Sequence, residues 1–566
     1  MKKQFLLFVS MFLSMRVLGA PAVVHVPASG GDMTRALQAA IEKVRSFKGK
    51  PVVIALQNAD YHLSREASSK VLYYVSNTTS EQENPDATKH IGLWLKGLHN
   101  VTIDGCGARL VTHGEMTSFV IDSCRNIVFR NFTVTAADPT VPEMTVVDAG
   151  DRHLTVRTHP LTHYSISPEG KLSLTGEGWS FSRGIAQAYD AGRDVTWRCW
   201  SPLDGLRKAI ELEPGLLRLN YASKPQGYAG LVYQLRDAIR DEVCGLIQFS
   251  RRVTLENLHL AFLGNFGLVS QMSEDITYRR LTFEPEAGSS RTCAGFADFV
   301  QMSGCKGRIL IENSRFSGAH DDPINIHGTH LSVRQWIAPD CAVVRYMHPQ
   351  TFGFQSFVSG DEVELVDAHS LLPKGAFRVR KAVMRNPREI VLTFSKPVPE
   401  ALRALPELVV ENTTYTPEVI VRGNYFSRIP SRGLLVTTRR PVLIEDNTFF
   451  RMQMSGILIA DDARSWYESG PVSDVTIRGN RFIECGSPVV YVAPENDRVE
   501  GAVHHNITIA GNRFKLNPGS VAVWAKSVDG LRVTDNWFDT PEPADTSRLV
   551  QTNACSRVTV QNNRMK

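Results

Sequence analysis

The chain has 566 residues, enough to bury a large core in several domains or in one long solenoid. Its formal net charge is +5, and charged residues make up 21% of the sequence without a long run of one sign. This mild balance argues against a nucleic-acid-binding protein, whose basic surface would give a larger positive charge.

The N-terminal segment has the features of a Sec signal peptide. Lys2 and Lys3 precede an apolar run at residues 5–13, and Ala20-Pro21-Ala22 offers a small-x-small cleavage site. The apolar run is too short to span a bilayer, and no other long apolar run follows it. We therefore predict a signal peptide at residues 1–22, no membrane span in the mature chain, and export to the periplasm or the cell exterior.

The nine cysteines are scattered through the chain, with neither a CxxC pair nor the spacing of a zinc site. Export permits disulfides, but an odd number leaves at least one thiol without an intramolecular partner. We expect most of them to be small buried apolar residues, and we predict no metal and no cofactor.

A repeated pattern organises most of the sequence. Nine segments after residue 250, among them PEVIVRGNYF and SDVTIRGNRF, place alternating apolar residues before a polar pair, often with Asn, and then Phe. A second short apolar strand precedes each segment, and NIVFRNFTV and NVTIDGCGARL resemble earlier copies. The recurring asparagines lie 23 to 33 residues apart, at Asn424, Asn447, Asn480, Asn512, Asn536 and Asn563.

Short strands at this period, separated by Gly, Asn and Asp turns, predict an all-β fold, a right-handed parallel β-helix. The recurring asparagines, including Asn131, Asn257, Asn313, Asn424 and Asn447, are expected to form an internal ladder of hydrogen-bonded amides. A leucine-rich repeat is the competing solenoid. It is disfavoured because the apolar positions are rich in Val and Ile and no helical period separates them.

Two stretches lack the repeat but carry strand and turn signals, such as DRHLTVRTH and REIVLTF. We interpret each as a small all-β, barrel-like module inserted into a turn of the solenoid, and we expect both to border one cleft. The predicted division is a signal peptide at 1–22, coils at 23–134, a first inserted module at 135–243, coils carrying the site at 244–328, a second inserted module at 329–412, and coils at 413–566.

The stretch GAHDDPINIHG, residues 318–328, places two aspartates between two histidines. When PINIHG is aligned with the preceding strand DFVQMSG, Asn325 falls on Gln301 and Asp322 lies over Asp298. Neighbouring rungs of a β-helix are about 4.8 Å apart. Asp298, Asp321 and Asp322 are therefore predicted to form one acidic cluster where two coils meet.

Three carboxylates at such spacing repel one another, so at least one is expected to hold a proton near neutrality. One protonated acid beside one ionised base is the arrangement that acid/base catalysis needs. Two other interpretations remain: Asp321 and Asp322 as turn residues ahead of Pro323, or the cluster as a calcium site. The pairs Asp461-Asp462, in a long and solvated turn, and Glu284/Glu286 are weaker candidates. No nucleophile elbow and no phosphate-binding glycine loop is present.

With the segments ADF (residues 297–299) and HDDPINIHG (residues 320–328), the chain resembles glycoside hydrolase family 110, the exported bacterial exo-α-1,3-galactosidases. The resemblance covers essentially the whole mature chain. It implies an inverting, metal-independent hydrolase that releases terminal galactose from blood group B and linear α-1,3-galactosyl glycans. It also implies that Asp298, Asp321 and Asp322 supply the acid and the base.

Inversion requires one carboxylic acid and one carboxylate roughly 6.5–9.5 Å apart. Directly stacked aspartates are closer than this, so either the diagonal from Asp298 to Asp321 or a splay of the side chains at the turn is expected to open the gap. Our hypothesis makes Asp321 the general acid, with Asp298 and Asp322 positioning and deprotonating the water.

Four further residues are predicted to bind substrate. Asn325 and His327 are candidates for hydrogen bonds to sugar hydroxyls, and His320 is a third polar candidate beside them. Trp336 is the candidate for stacking on the apolar face of galactose.

Two rival functions remain open. Polygalacturonases are β-helical hydrolases that also carry an aspartate followed by a DD pair. They additionally carry a GHG and an RIK motif, whereas this sequence has only IHG and no RIK. The other rival is a non-catalytic, calcium-dependent glycan-binding β-helix. The sequence does not decide between branched and linear substrates or whether the chain forms an oligomer.

Overall fold

The computed structural model describes residues 20–541 and 545–565. Residues 1–19 of the predicted signal peptide lie outside the described residues. Within the described ranges, no helix combines the length and the apolar character needed to cross a membrane.

Two long parallel sheets run the length of the molecule, because each coil contributes a strand to both. Along each strand the side chains alternate: Val419 and Val421 are buried, whereas Ile420 between them is partly exposed. Val419 pairs with Val442, and Val442 with Val475 one coil further on. The predicted all-β, parallel β-helical fold is confirmed.

The larger sheet contains 22 strands. They are Ala22–Val26, Val52–Leu56, Asp60–Ser64, His99–His113, Arg125–Ala136, Arg251–Leu260, Glu274–Arg279, Thr282–Phe283, Lys306–Glu312, Arg315–Ser317, Glu418–Arg422, Tyr425–Ser427, Val442–Glu445, Thr448–Phe450, Val475–Arg478, Arg481–Ile483, His504–Ala510, Arg513–Lys515, Val528–Thr534, Trp537–Asp539, Thr559–Gln561 and Arg564–Met565.

The second sheet carries the short strands that precede each repeat, together with two antiparallel strands, Ser69–Leu72 and Glu468–Ser469. Its strands are Ser69–Leu72, Thr88–Lys96, Thr117–Asp122, Gly245–Gln248, Leu268–Gln271, Val300–Ser303, Asn325–Thr329, Leu434–Val436, Ile457–Ile459, Glu468–Ser469, Val490–Val492, Val523–Lys526 and Val550–Asn553. Among the described residues, the helices are Thr34–Lys43, Glu400–Arg403 and Thr546–Leu549, with a 3-10 turn at Val44–Phe47.

Residues 135–243 and 329–412 contain antiparallel strands outside the coils. In the first inserted module, seven strands form one sheet and three form another; in the second, six strands close into a barrel. The first module's strands are Glu143–Ala149, His153–Thr158, His163–Ile166, Leu172–Gly176, Trp179–Phe181, Ile185–Asp190, Val195–Cys199, Leu206–Glu213, Leu216–Tyr221 and Leu231–Arg236. The barrel strands are Leu331–Ala338, Cys341–Arg345, Glu362–Asp367, Pro373–Asn386, Glu389–Phe394 and Leu408–Asn412.

Two columns of identical side chains hold successive coils in register. From Asn424 to Asn563, each amide Nδ2 donates to the Oδ1 of the next asparagine at 3.0 Å. Phenylalanine rings stack beside this ladder with centroids 4.7–5.1 Å apart. The stacked rings are Phe283, Phe316, Phe426, Phe449, Phe482, Phe514 and Phe538.

Three of the asparagines expected in this ladder lie one position before the ladder position of their repeat. Asn131, Asn257 and Asn313 adopt the left-handed conformation, with φ of 62°, 52° and 53°. Asn257 Nδ2 donates to Asn131 Oδ1 at 2.8 Å on the half-exposed side of the turn. Their place in the ladder column is taken beside Asn313 by Ser314, whose N–H donates to Asn424 Oδ1 at 2.9 Å.

All nine cysteines are free thiols, and five of them are buried. Burial raises the pKa of Cys293 and of Cys305 to about 12, so both stay protonated at neutral pH. These two residues pack as small apolar side chains.

Replacing a ladder asparagine is expected to destabilise the fold. Asn447 is fully buried, and its amide bonds Asn424, Asn480 and the carbonyl of Val421. Asn447→Ala leaves buried donors and acceptors without partners, so the free energy of unfolding should fall by about 3 kcal/mol. Asn563→Ala, at the partly exposed end of the ladder, should cost about 1 kcal/mol in the same denaturant titration. Equal losses would contradict the ladder's role.

Candidate functional site

The turn that carries the aspartate pair leads from the larger sheet into Asn325–Thr329, which pairs with Val300–Ser303 in the second sheet. Gln301 pairs with Asn325 and Ser303 with His327, which is the register expected from the repeat. The Phe299 N–H donates to the Asp322 carbonyl at 3.1 Å. Asp298 and Asp322 therefore occupy equivalent positions on consecutive coils.

Gly318 allows this turn to leave the preceding strand. Its φ of +81° is in the left-handed region, and a Cβ at this position would lie 2.8 Å from the carbonyl oxygen of Thr292. Its own carbonyl accepts a hydrogen bond from the Ala294 N–H at 2.9 Å. A side chain at position 318 would therefore displace the loop that packs under the aspartate pair.

Asp298, Asp321 and Asp322 line one cavity of about 170 Å³. Six carboxylates and two guanidinium groups border it, together with two amides, an indole, a hydroxyl and apolar side chains. The charged members are Asp298, Asp321, Asp322, Asp462, Glu468, Glu495, Arg240 and Arg432. This carboxylate cavity is the candidate functional site.

Two arginines from different parts of the chain contact Asp321. Arg198, on a strand of the first inserted module, lies 2.7 Å from Oδ1, and Arg240 lies 3.2 Å from Oδ2. The Arg240 guanidinium also lies 5.4 Å from the centroid of the Phe266 ring, which fixes its position. Two positive charges thus balance the one negative charge of Asp321.

Asp322 is paired with Arg432 from the next coil. The backbone N–H and Nε of Arg432 both donate to Oδ1 at 3.1 Å, and Nη2 donates to Oδ2 at 2.5 Å. Burial raises the pKa of Asp322, whereas the Arg432 charge opposes that rise. The fork of the guanidinium fixes the orientation of this carboxylate.

Asp298 differs from its two neighbours because no described side chain or backbone group forms a hydrogen bond with its carboxyl group. Only 4% of the residue is exposed. Burial raises its pKa well above the usual value, and the negative charges of Asp321 and Asp322 raise it further. Asp298 is therefore the carboxyl group of the cluster that is best placed to hold a proton near neutrality.

The two polar candidates on the following strand differ in their access to the cavity. Asn325 lines it, with Nδ2 donating to Glu468 at 3.2 Å and a buried Oδ1 that lacks a hydrogen-bond partner among the described residues. His327 lies behind the lining. Its Nε2 accepts from Gln301 at 2.6 Å, and its Nδ1 donates to the Gly328 carbonyl at 2.6 Å.

His320 and Trp336 are not brought to the cavity. His320 is fully buried against the first inserted module, where its Nε2 donates to Gln234 Oε1 at 3.0 Å. Burial lowers its pKa well below the usual value, so this imidazole is neutral. Trp336 packs in the barrel, with its ring centroid 6.2 Å from that of Phe394.

The aromatic side chain that does line the cavity is Trp466, which the sequence reading did not single out. It is 44% exposed, and its ring stacks on His348 at a centroid distance of 4.3 Å. Asp462 holds the loop by accepting the N–H groups of Arg464 and Ser465 at 2.8 and 3.0 Å. The sequence feature that could have indicated Trp466 is the segment DDARSWYES, a polar and aromatic insertion in one of the longest coils.

The acidic pair before Trp466 was expected in a solvated turn, and this expectation was wrong. Asp461 and Asp462 are only 1% and 4% exposed. Asp461 lies 3.2 Å from Nε2 of the fully buried His330, which compensates part of its desolvation. The pair therefore supports the loop that carries Trp466 from inside the protein.

Residues 20–541 and 545–565 contain no group of three or more His, Cys, Asp or Glu side chains arranged to hold a metal ion. In the carboxylate cavity, guanidinium groups occupy oxygens of Asp321 and Asp322 that a calcium ion would need as ligands. The arginine pairing thus favours a role for the cluster other than cation binding.

Comparison with known proteins gives matches over nearly the whole chain. Two family models match, a GLAA-B β-barrel domain II at residues 342–405 and a right-handed β-helix region at residues 410–564. The α-1,3-galactosidase A of Bacteroides thetaiotaomicron is 48% identical over 560 residues, covering 98% of each chain. The α-1,3-galactosidase A of Streptomyces avermitilis is 38% identical, over 93% of this chain and 88% of its own. The α-1,3-galactosidase B of B. thetaiotaomicron is 29% identical, over 94% and 88%.

Asp298→Asn should change the pH dependence of stability. A carboxyl group whose pKa is raised by folding stabilises the protein fully below its unfolded pKa, and this contribution is lost as pH rises through the folded pKa. The amide introduced by the substitution stays neutral at every pH, so the variant does not lose this contribution. The melting temperature of Asp298→Asn minus that of the wild type should therefore increase as the pH rises above about 4, the usual pKa of an aspartate. Asp446→Asn, in an exposed turn, controls for the substitution itself, and a pH-independent difference at Asp298 would contradict the prediction.

Proposed function

Because the chain belongs to the α-1,3-galactosidase family, we propose that it is a glycoside hydrolase that removes terminal α-1,3-linked galactose from glycans. The observation that carries this proposal is the charge arrangement in the carboxylate cavity. Within the described part of the chain, Asp298 has no cationic hydrogen-bond partner, whereas Asp321 and Asp322 are each paired with arginine. One protonated acid beside ionised carboxylates is the set that glycoside hydrolysis requires.

Asp298 is the general acid in this mechanism. Its carboxyl proton passes to the glycosidic oxygen as the bond from that oxygen to C1 of galactose breaks. This assignment exchanges the roles expected from the sequence, in which Asp321 was the acid. The exchange is supported by charge: Asp321 already contacts two guanidinium groups, and these stabilise its anion.

Asp321 is then the general base. It accepts a proton from a water molecule that attacks C1 from the face opposite the leaving group, so the product is the inverted anomer. Arg198 and Arg240 orient its carboxylate toward this water. Asp322, fixed by Arg432, adds a negative charge close to the positive charge that develops on the sugar ring.

The lining of the cavity supports recognition of a single terminal sugar. A volume of about 170 Å³ is below the roughly 300–1,000 Å³ of pockets for drug-sized ligands, so exo-action is favoured. Asn325 lines the cavity, and its buried Oδ1, which has no hydrogen-bond partner among the described residues, is the acceptor proposed for a sugar hydroxyl; Trp466 offers an aromatic face. Six carboxylates on the lining would repel a polyuronide, which argues against polygalacturonase activity.

The finer assignments follow from the sequence resemblance. We propose that the family is glycoside hydrolase family 110, that the substrates are blood group B or linear α-1,3-galactosyl glycans, and that residues 1–22 direct export to the periplasm or cell exterior. Paired fucosylated and unfucosylated substrates would separate the branched from the linear preference.

Each of Asp298→Asn, Asp321→Asn and Asp322→Asn should lower kcat for galactose release by about 10²–10⁴-fold, because each removes a proton donor, a proton acceptor or a fixed charge. The wild type should release the β-anomer first, as followed by NMR, and a chelator should not reduce the rate. Asp446→Asn is the matched control outside the cavity. Near wild-type turnover in all three folded variants would refute the mechanism.

Trp466→Ala should raise KM several-fold while leaving kcat closer to the wild-type value, because a stacking contact contributes about 1 kcal/mol to binding. Trp336→Phe, in the barrel, should leave both constants near the wild-type values. Initial-rate kinetics on an α-1,3-galactosyl disaccharide distinguishes the two tryptophans. An effect on KM at position 336 and none at position 466 would reverse this assignment.

A further inference from the structure

The first inserted module contains a groove that is separate from the carboxylate cavity. Its volume is about 1,030 Å³, far larger than the about 170 Å³ of the cavity, and it shares no lining residue with it. Trp200, Leu203, Leu206 and Tyr221 supply its apolar and aromatic surface. We refer to it as the basic groove.

The aromatic part of the groove is rigid. The Trp200 ring lies 5.5 Å from the Tyr221 ring, measured between centroids, at an interplanar angle of 60°. The Tyr221 hydroxyl donates to the Pro202 carbonyl at 2.7 Å, and the Asp204 N–H donates to the Ser201 carbonyl at 2.9 Å. These bonds hold the loop after Trp200 in place, so a ligand would not have to order it.

Four exposed cations border the groove without a partner. None of them forms an ion pair or a side-chain hydrogen bond within the described part of the chain, in contrast to Arg157 and Arg198 of the same module. The only lining carboxylates are Asp204 and Glu169, and Glu169 is engaged by the Ser167 hydroxyl at 2.7 Å. The four cations are Lys171, Arg183, Arg207 and Lys224.

We propose that the basic groove is a second glycan-binding site, which takes an oligosaccharide bearing an anionic substituent, a sulfate ester or a carboxylate. An indole face stacks on the apolar face of a sugar ring, while arginine and lysine side chains bind the anion. An anion in the groove would also relieve the mutual repulsion of the four cations. The carboxylate cavity has the opposite charge, so the two sites select different parts of a glycan.

The inference goes beyond galactose hydrolysis and is tested by binding alone. Isothermal titration calorimetry would compare sulfated lactose, sialylated lactose and lactose itself, which all lack a terminal α-galactose. Both anionic sugars, or one of them, should bind the wild-type protein and Asp298→Asn equally, and more weakly in high salt. Neutral lactose should bind at least about tenfold more weakly.

The double variant Arg207→Gln/Lys224→Gln should weaken binding of the anionic sugar about tenfold, with galactose release unchanged. Trp200→Ala should also weaken it. Lys381→Gln, at an exposed cation on the barrel, is the matched control and should have no effect. The proposal is overturned if neither anionic sugar binds, if lactose binds as tightly, or if the double variant binds like the wild type.

Discussion

Parallel pairing between consecutive coils is the constraint on which the rest of this structure depends. Backbone hydrogen bonds set neighbouring rungs about 4.8 Å apart, and the alternation of buried and exposed side chains prevents a shift by one residue. The asparagine and phenylalanine columns lock the same register on the larger sheet. Asp298 and Asp322 meet because this register is fixed, although 24 positions separate them in sequence.

Bringing carboxyl groups together in a buried cavity is costly, and the protein compensates that cost with arginines from elsewhere. Arg432 comes from the next coil, Arg240 from the segment that returns to the solenoid, and Arg198 from the first inserted module. Compensation is unequal, because the carboxyl group of Asp298 has no hydrogen-bond partner among the residues that the structure describes. That inequality gives three residues of the same type different electrostatic surroundings.

The repeat made the solenoid and the pairing of Gln301 with Asn325 predictable, because aligned motifs define both strands and register. The asparagine column was misplaced at Asn131 because the motif carries a polar pair, and periodicity alone does not show which member points inward. Trp466 and Arg432 were missed because they lie in turns outside the repeat, where backbone conformation decides direction. Trp336 was misplaced for a different reason: its strand belongs to a separate barrel, which the solenoid repeat does not describe.

The contact between Arg198 and Asp321 joins residues 123 positions apart and crosses from the inserted module to the solenoid. The first inserted module therefore contributes a counter-charge to the carboxylate cavity. If the coils were moved into another scaffold without the module, or if the module were exchanged between relatives, Asp321 would lose this counter-charge and the strand that presents it. A chimeric enzyme built on this architecture therefore needs the coils and the first inserted module from the same parent.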